Sequence, residues 1–242
     1  MKKCWGLILC LLFLTATAQA ETLDFHKLYF PKEGMSADEI MQIKYHNKYS
    51  LFADDFSQRG TVFYVDPSGF TRKRVWERLR LIKGQQDFSY KDLVVVTYPT
   101  NVKGLAVLTW SYQDPQKEQN VWLWIPSLKK ARKISASEDD DAFMGSDFTV
   151  EEVSTRRFND ETYELIKEEN FPGYTFEHTG ERKAEGKPCF VIEATPTKPH
   201  WYYSKRKIWI DKETGGNIFD EYYDKSGNLY TVSYTHLTLP TN

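Results

Sequence analysis

One short segment constrains the fold of this chain more than any other. Val121 to Ile125 reads V-W-L-W-I, with a bulky apolar residue at every position. Successive side chains of a β-strand point to opposite faces of the sheet, so neither face of this strand is plainly solvated. Thr61 to Val65 has the same character. A strand that is apolar on both faces requires a second covering layer, a partner protein or a ligand cavity.

Turn signals separate this segment from several other apolar runs. Asp66-Pro67-Ser68-Gly69 combines a proline that presets φ with a glycine that tolerates positive φ, and Asp224 to Gly227 is a similar turn. The predicted strands are Thr61–Val65, Thr71–Lys83, Leu93–Tyr98, Leu105–Tyr112, Val121–Ile125, Pro188–Ala194, Lys205–Asp211, Asn217–Tyr223 and Asn228–Val232. Short turns without a βα alternation indicate an antiparallel sheet.

One helix is predicted near the start of the chain. Ser36 and Glu39 have the spacing of a capping box, and an apolar stripe follows, which predicts a helix over Ala37 to Tyr49. The acidic stretch from Phe148 to Asn170 has mixed character, with a short helix possible over Val150 to Arg157.

The two ends of the chain do not read as parts of the folded domain. Residues 1–20 have a charged start, a short apolar run and the A-x-A sequence Ala18-Gln19-Ala20, which predicts a secretory signal peptide cleaved after Ala20. An uncleaved membrane anchor and a lipidated Cys10 are the alternatives. Residues 233–242 contain no charged side chain and resemble a translated adapter sequence, so we expect a non-native tail; a genuine final strand is the alternative. The expected organisation is a single domain over residues 21–232, truncated at its C-terminus.

Charge and cysteine content exclude some classes of partner and crosslink. Loss of residues 1–20 removes two lysines and no acid, which takes the net charge from −2 to about −4. Such a chain has no global electrostatic attraction to nucleic acid or to an anionic membrane. Cys189 is then the last remaining cysteine, so no intramolecular disulfide can form, and its apolar surroundings predict burial.

A search for reaction chemistry in the sequence returns nothing specific. Sequence patterns of serine hydrolases, zinc proteases, phosphate-binding loops and dithiol redox sites do not occur. The histidines are scattered without metal-ligand spacing. The acidic run Glu138 to Asp141 lacks the spaced oxygen pattern of a calcium loop. We therefore predict no catalytic residue, no metal site and no cofactor.

Three stretches carry a resemblance to a known family. They are Val121 to Thr149, the run E-G-K-P-C-F-V-I-E-A-T-P from Glu185 to Pro196, and Tyr203 to Leu229 with Y-S-K-R-K-I-W-I-D-K-E-T and Y-Y-D-K-S-G-N-L. Their order and spacing resemble the outer-membrane lipoprotein-sorting proteins, relatives of the periplasmic lipoprotein carrier in the LolA-like superfamily. The resemblance covers roughly Ala37 to Val232, although the single cavity arginine of the classical carrier has no clear counterpart here.

The resemblance implies a fold and a function. The fold would be α+β and mostly β: a curved antiparallel sheet, forming an unclosed β-barrel, with one or more helices covering the concave face. The function would be that of a monomeric periplasmic carrier of lipid or lipoprotein acyl chains, working with an RND-type exporter and an outer-membrane acceptor. The aromatic residues, 15% of the chain, would then line a cavity rather than fill a core. Candidate cavity residues are Ile40, Trp110, Tyr112, Trp122, Trp124 and Phe143.

The densest basic stretch is a second candidate site. On the long predicted strand Arg74, Arg78 and Arg80 share one face with Trp76, and Val75, Leu79 and Leu81 share the other. The arginines could bind an anionic lipid or an acidic partner, or could be an exposed strand face that discourages edge aggregation. Two other functions stay open for the whole chain: an exporter adaptor that acts through protein contacts, and an unrecognised lipid hydrolase.

Overall fold

The computed structural model describes residues 27–50, 55–66, 68–82, 87–114, 116–134, 156–177, 179–198 and 201–235. One helix, α1 (Ala37–Ser50), precedes all strands. The strands are β1 (Asp55–Val65), β2 (Thr71–Leu81), β3 (Phe88–Tyr98), β4 (Ala106–Tyr112), β5 (Asn120–Ile125), β6 (Lys130–Ile134), β7 (Glu161–Asn170), β8 (Tyr174–Thr175), β9 (Arg182–Lys183), β10 (Pro188–Pro196), β11 (Lys205–Asp211), β12 (Asn217–Tyr223) and β13 (Leu229–Tyr234). Single 3-10 turns lie at Thr100–Val102, Pro126–Leu128 and Phe158–Asp160.

The first six strands form one antiparallel sheet in sequence order, β1-β2-β3-β4-β5-β6. Hairpin turns join neighbours, and the β1–β2 turn has the chemistry that its sequence predicts. The Asp66 carboxylate accepts hydrogen bonds from the backbone N–H groups of Ser68 (2.9 Å) and Phe70 (3.0 Å), while Gly69 adopts φ +84°. This antiparallel order of consecutive strands follows from the short connections between them, since parallel pairing would need long crossover connections.

The second sheet has five antiparallel strands in the order β13-β12-β11-β10-β7. The small hairpin β8–β9 is inserted between β7 and β10. Neither sheet closes into a barrel, and one helix lies beside them in the described residues. The fold class predicted for this chain, mostly β with open antiparallel sheets and a helix, is confirmed.

Helix α1 begins where the capping box predicts. The Ser36 backbone N–H donates to the Glu39 carboxylate (2.8 Å), and the Glu39 backbone N–H donates to Ser36 Oγ (3.3 Å). The apolar stripe of α1 buries Ile40 and Met41 completely against the five-stranded sheet, where they meet Ile192 and Ile208. The helix is therefore fixed to the second sheet by a core of aliphatic side chains.

The opposite face of the five-stranded sheet is also buried. Phe171, Cys189, Trp209 and Phe219 form a second cluster there, with the Phe171 and Trp209 ring centroids 5.7 Å apart. The thiol of Cys189 is fully buried, as its apolar sequence predicts. The hydrophobic clusters of the described residues thus lie around the second sheet, and the six-stranded sheet contributes to none of them.

Several segments differ from their predictions. Strand β1 begins at Asp55 rather than Thr61, and β3 begins at Phe88 rather than Leu93. The short strands β6, β8 and β9 were not predicted. The acidic segment Glu161–Asn170 is an edge strand with one register shift, because its pairing with β10 satisfies a backbone whose side-chain pattern is weak. The short helix considered from Val150 and the signal peptide fall outside the described residues. The final strand continues through Ser233 and Tyr234, two residues of the suspected tail.

In the part of the chain that the structure describes, no helix has the length and apolar character needed to cross a bilayer.

Candidate functional site

One side of the six-stranded sheet carries a row of large apolar side chains that belongs to none of the hydrophobic clusters of the described residues. The strand registers place Leu79 of β2 opposite Leu93 of β3, Leu93 opposite Leu108 of β4, and Leu108 opposite Trp122 of β5. Three strand spacings of ~4.8 Å make this row about 14 Å long. We call this side of the sheet the tryptophan face; it consists of Leu79, Leu81, Leu93, Val95, Leu108, Trp110, Trp122 and Trp124.

The tryptophan face is unusually exposed for its composition. Leu79 is 52% exposed, Leu81 48% and Trp124 41%, and the others are half-buried. Single exposed apolar side chains are ordinary, but a contiguous apolar patch marks a site of contact with a partner, membrane or ligand. This face is therefore the strongest candidate binding surface of the described residues.

Aromatic contacts fix one end of the tryptophan face. The rings of Trp110 and Trp122 meet edge-to-face at 4.8 Å, and Phe88 lies 5.5 Å from Trp110 and 4.9 Å from Tyr112. The Asn120 side-chain amide donates a hydrogen bond to the Tyr112 hydroxyl. Because each ring is held by a neighbour, this aromatic wall is formed without a ligand.

Two lysines lie over the same rings. Lys91 Nζ is 4.2 Å from the centroid of Phe88 and 5.2 Å from that of Trp110. Lys117 Nζ is 3.7 Å from the centroid of Tyr112. The aromatic end of the tryptophan face therefore carries two positive charges. In the row beside it, Lys133 lies opposite Trp122, with its Nζ 6.0 Å from the centroid of that ring.

The other side of the six-stranded sheet holds the predicted basic stretch. Arg78 Nε lies 2.9 Å from both carboxylate oxygens of Asp92, and Arg80 donates to the same carboxylate at 2.7 Å. Burial alone would raise the pKa of Asp92, but its bonds to Arg78 and Arg80 outweigh burial and lower that pKa. The guanidinium of Arg80 also lies 4.0 Å from the Tyr90 ring.

These contacts change the interpretation of the basic stretch. Arg80 is only 2% exposed, so it is not part of an open strand face. Arg78 is half-buried in the ion pair, and Arg74 lies over the ring of Tyr64 at 5.4 Å. The sequence separated the two faces of β2 correctly, but both interpretations placed Arg80 in solvent, and that was wrong, because Asp92 on the next strand neutralises it.

A buried polar network lies beneath α1, in the second sheet. Arg206 donates to both carboxylate oxygens of Glu161, at 2.7 and 2.6 Å, and approaches Asp220 at 3.3 Å. The Tyr203 hydroxyl donates to Glu161 at 2.8 Å. The Glu161 side chain is 0% exposed and that of Arg206 2%. The network joins β7, β11 and β12 at their shared end.

The electrostatics of this network follow from burial and pairing. Burial would raise the pKa of Glu161, but the adjacent Arg206 guanidinium lowers it to about 2. Nearby, burial and the positive charge of Arg206 hold the pKa of Lys44 well below its ordinary value. Burial likewise raises the pKa of Tyr45 to about 12. Glu161 thus remains ionised across the physiological range, and its role is structural.

The structure brings four of the six predicted cavity residues together. Trp110, Tyr112, Trp122 and Trp124 share one side of the β4–β5 hairpin. Ile40 is fully buried in the core between α1 and the second sheet, away from these four. Phe143 lies outside the described residues. The assignment of these residues to a lipid site remains a prediction.

Sequence reasoning missed Arg206 and Glu161, although a signal for each was present. Arg206 alternates with Ile208 and Ile210, and Glu161 alternates with Tyr163 and Leu165. A charged residue in phase with a buried apolar face predicts a buried pair. The partners are 45 residues apart, so their pairing was not visible in the sequence.

Another concave region lies among the described residues, and it holds no group of metal ligands. No group of three or more potential metal ligands occurs among the residues that the structure describes. An open depression of about 490 Å³ lies at the β8–β9 hairpin, distant in sequence from the tryptophan face. Its lining is Tyr174, Phe176, Glu177, Thr179, Glu181, Lys183 and Tyr234. Two of its lining residues, Tyr174 and Phe176, pack edge-to-face on each other with ring centroids 5.2 Å apart.

Comparison with known proteins agrees with the observed architecture. The family model that matches residues 89–237 is described as an "uncharacterized protein"-like family. No curated protein matches the sequence. The chain has the fold of a domain assigned as an outer membrane lipoprotein-sorting protein from Vibrio parahaemolyticus (TM-score 0.65, 24% identity, 81% of this chain and 75% of that one).

Two further solved structures are similar. A DUF1329 family protein from Desulfovibrio piger matches with TM-score 0.63 and 24% identity over 81% of this chain and 77% of that one. A LolA superfamily protein from Nitrosomonas europaea matches with TM-score 0.60 and 16% identity over 86% and 80%. The fold is therefore that of the lipoprotein-sorting, LolA-like proteins, and the resemblance found in the sequence is confirmed.

Proposed function

We propose, from the premise that this chain belongs to the family whose model matches residues 89–237 and has the LolA-like fold, that it is a lipid carrier. It binds lipid, or the acyl chains of lipoproteins, on the tryptophan face and releases them without chemistry. The observation that carries this proposal is the apolar row Leu79–Leu93–Leu108–Trp122, which no buried cluster of the described residues covers.

The dimensions and energetics of the face suit an acyl chain. A row about 14 Å long equals half of the ~30 Å hydrocarbon core of a bilayer, which is the length that one lipid chain covers. Burial contributes ~0.8 kcal/mol per methylene, so a chain of ~14 to 18 carbons has about 10 kcal/mol available before the costs of association. Apolar contact alone is enough for binding, and no reactive group is required.

The cellular setting of the proposal follows from the signal-like N-terminus and the family resemblance. The carrier acts in the periplasm, receives its cargo from an RND-type exporter and delivers it to an outer-membrane acceptor. Transfer needs no energy source in the carrier, because the cargo moves toward the site of higher affinity. A monomer is sufficient, since every residue of the tryptophan face comes from one chain.

Charged substitutions on the tryptophan face test the proposal. Trp122→Asp and Trp124→Asp place a carboxylate beside the acyl chain, and each is expected to reduce binding of a fluorescent fatty-acyl probe at least ten-fold. Ile166→Asp is the matched control, because Ile166 is 45% exposed on β7 of the other sheet. Circular dichroism verifies that all three variants are folded.

Two results would refute the carrier proposal. Retained binding in both folded tryptophan variants would remove the tryptophan face as the site. An equal loss in Ile166→Asp would show that the effect is not local to this face.

A further inference from the structure

We propose that the lipid bound on the tryptophan face has an anionic headgroup, held by Lys91 and Lys117 at the aromatic end of that face. This inference rests on the proposed carrier function and names the chemical class of its cargo. It concerns the headgroup, whereas the proposed function concerns the acyl chain, so the two can fail separately.

The surroundings of Lys91 are apolar on both sides. The strand registers place Lys91 between Leu81 of β2 and Trp110 of β4, on the tryptophan face. Its ammonium group lies over the Phe88 ring at 4.2 Å. Lys117 reaches the same aromatic group from the β4–β5 connection, over Tyr112 at 3.7 Å. Since the Phe88 and Tyr112 centroids are 4.9 Å apart, both cations border one small area.

Neither cation is neutralised by a carboxylate. The described residues place no carboxylate oxygen within 4.0 Å of the ammonium group of Lys91 or Lys117. Three other lysines differ in this respect, because Lys187, Lys205 and Lys212 each pair with an acidic side chain. An aromatic ring attracts a cation but does not cancel its charge, so an anionic group of a ligand remains the complementary partner.

The end of the tryptophan face at Lys91 and Lys117 is its most polar part. The Asn120 amide and the Tyr112 hydroxyl add polar atoms there. The next row along the strands is aliphatic from Leu79 to Leu108. Other charges on this side of the sheet stand singly or face an opposite charge: Lys133 faces Trp122, and Glu77 faces Arg59. Two cations border one aromatic area only at Lys91 and Lys117 among the residues of this face, so an amphiphile with a phosphate or carboxylate headgroup would place it at that end.

A pair of lipids that differ in headgroup charge tests the inference. Calorimetric titration of the full exported chain compares lysophosphatidylglycerol with lysophosphatidylcholine of equal chain length, both below their micellar concentration. Each lysine near an anionic lipid surface favours binding about five-fold, so we expect the anionic lipid to bind about 25-fold more tightly at low salt. The preference should shrink at high ionic strength, because these cations are exposed to screening.

Two sets of variants test whether the preference for the anionic lipid depends on Lys91 and Lys117. Lys91→Met with Lys117→Met should abolish the preference, so that the two lipids bind with equal affinity to a variant that circular dichroism shows to be folded. Lys198→Met is the control, because Lys198 lies over Trp201 at 5.0 Å in a comparable contact on the other sheet, and it should keep the full preference.

Three other results would contradict either the anionic headgroup or the carrier proposal. Equal affinity of the native protein for both lipids, or a preference that survives the double substitution, overturns the anionic headgroup and leaves the carrier intact. Competition by inorganic phosphate at the concentrations that displace lysophosphatidylglycerol overturns it in favour of a free-phosphate site. Absence of binding for both lipids in folded protein overturns the carrier proposal itself.

Discussion

Replacing Glu161 by glutamine removes the main negative charge that neutralises Arg206 inside the second sheet. The guanidinium would keep Asp220 at 3.3 Å, but of its two short carboxylate bonds, which measure 2.7 and 2.6 Å, one acceptor becomes an amide NH2 and the other loses its negative charge. Because the Arg206 side chain is only 2% exposed, water cannot replace the missing charge. Breaking a buried ion pair from one side costs about 3–5 kcal/mol.

The lowered pKa of Glu161 gives a second, independent value for the stability that this carboxylate contributes. Arg206 lowers the pKa of Glu161 from 4.5 to about 2 in the folded state. A lowered folded-state pKa means that the carboxylate stabilises the protein above the unfolded pKa. That contribution is lost as the pH falls from about 4.5 toward about 2. At 1.36 kcal/mol per pKa unit, it amounts to about 3 kcal/mol at neutral pH.

Urea unfolding at pH 7 measures the loss of stability in Glu161→Gln directly. Glu161→Gln should lower the free energy of unfolding by about 3 kcal/mol, and its stability should depend less on pH than that of the native chain below pH 4.5. Glu185→Gln is the control, since its ion pair with Arg182 is exposed and its loss should cost less than about 1 kcal/mol. A loss below about 1 kcal/mol in Glu161→Gln would refute the assignment of this pair as a buried, stabilising contact.

Three further predictions concern other parts of the molecule. Gly60→Ala should destabilise the fold by about 1–3 kcal/mol in urea unfolding, because the new β-carbon would overlap the Trp76 ring. Burial raises the pKa of the Cys189 thiol to about 12, so a maleimide at pH 7 should label the chain lacking residues 1–20 only after unfolding. Asp92→Asn should lower the thermal midpoint, because it leaves the Arg80 guanidinium buried with a neutral partner; an unchanged midpoint would contradict this.

Local sequence signals predicted most elements of the fold. The capping box of Ser36 and Glu39 gave the first residue of α1, and turn chemistry at Asp66 and Asp224 gave two hairpins. The edge strand Glu161–Asn170 was not predicted, because five of its ten residues are charged and its pairing with β10 is decided by the tertiary structure. Alternation is visible at Glu161, Tyr163 and Leu165 in the first half of the strand and is lost in the charged second half.

The candidate site was predictable in part of its membership and not in its geometry. Aromatic residues in the β4 and β5 segments pointed to Trp110 and Trp122, but their contact at 4.8 Å depends on the register of the hairpin between them. Register also decides that Leu79, rather than Arg78, shares their side of the sheet. A shift by one residue would exchange the two faces, and single-sequence reasoning cannot fix that shift.

The central claim is that this chain carries lipid, and native mass spectrometry of the protein purified from a bacterial periplasm tests it most directly. Lipid extraction from the same sample identifies the bound mass. We predict a near-stoichiometric adduct with the mass of an acylated molecule, lost in Trp122→Asp. A clean ligand-free mass from folded protein that also fails to take up added lipid would contradict the account.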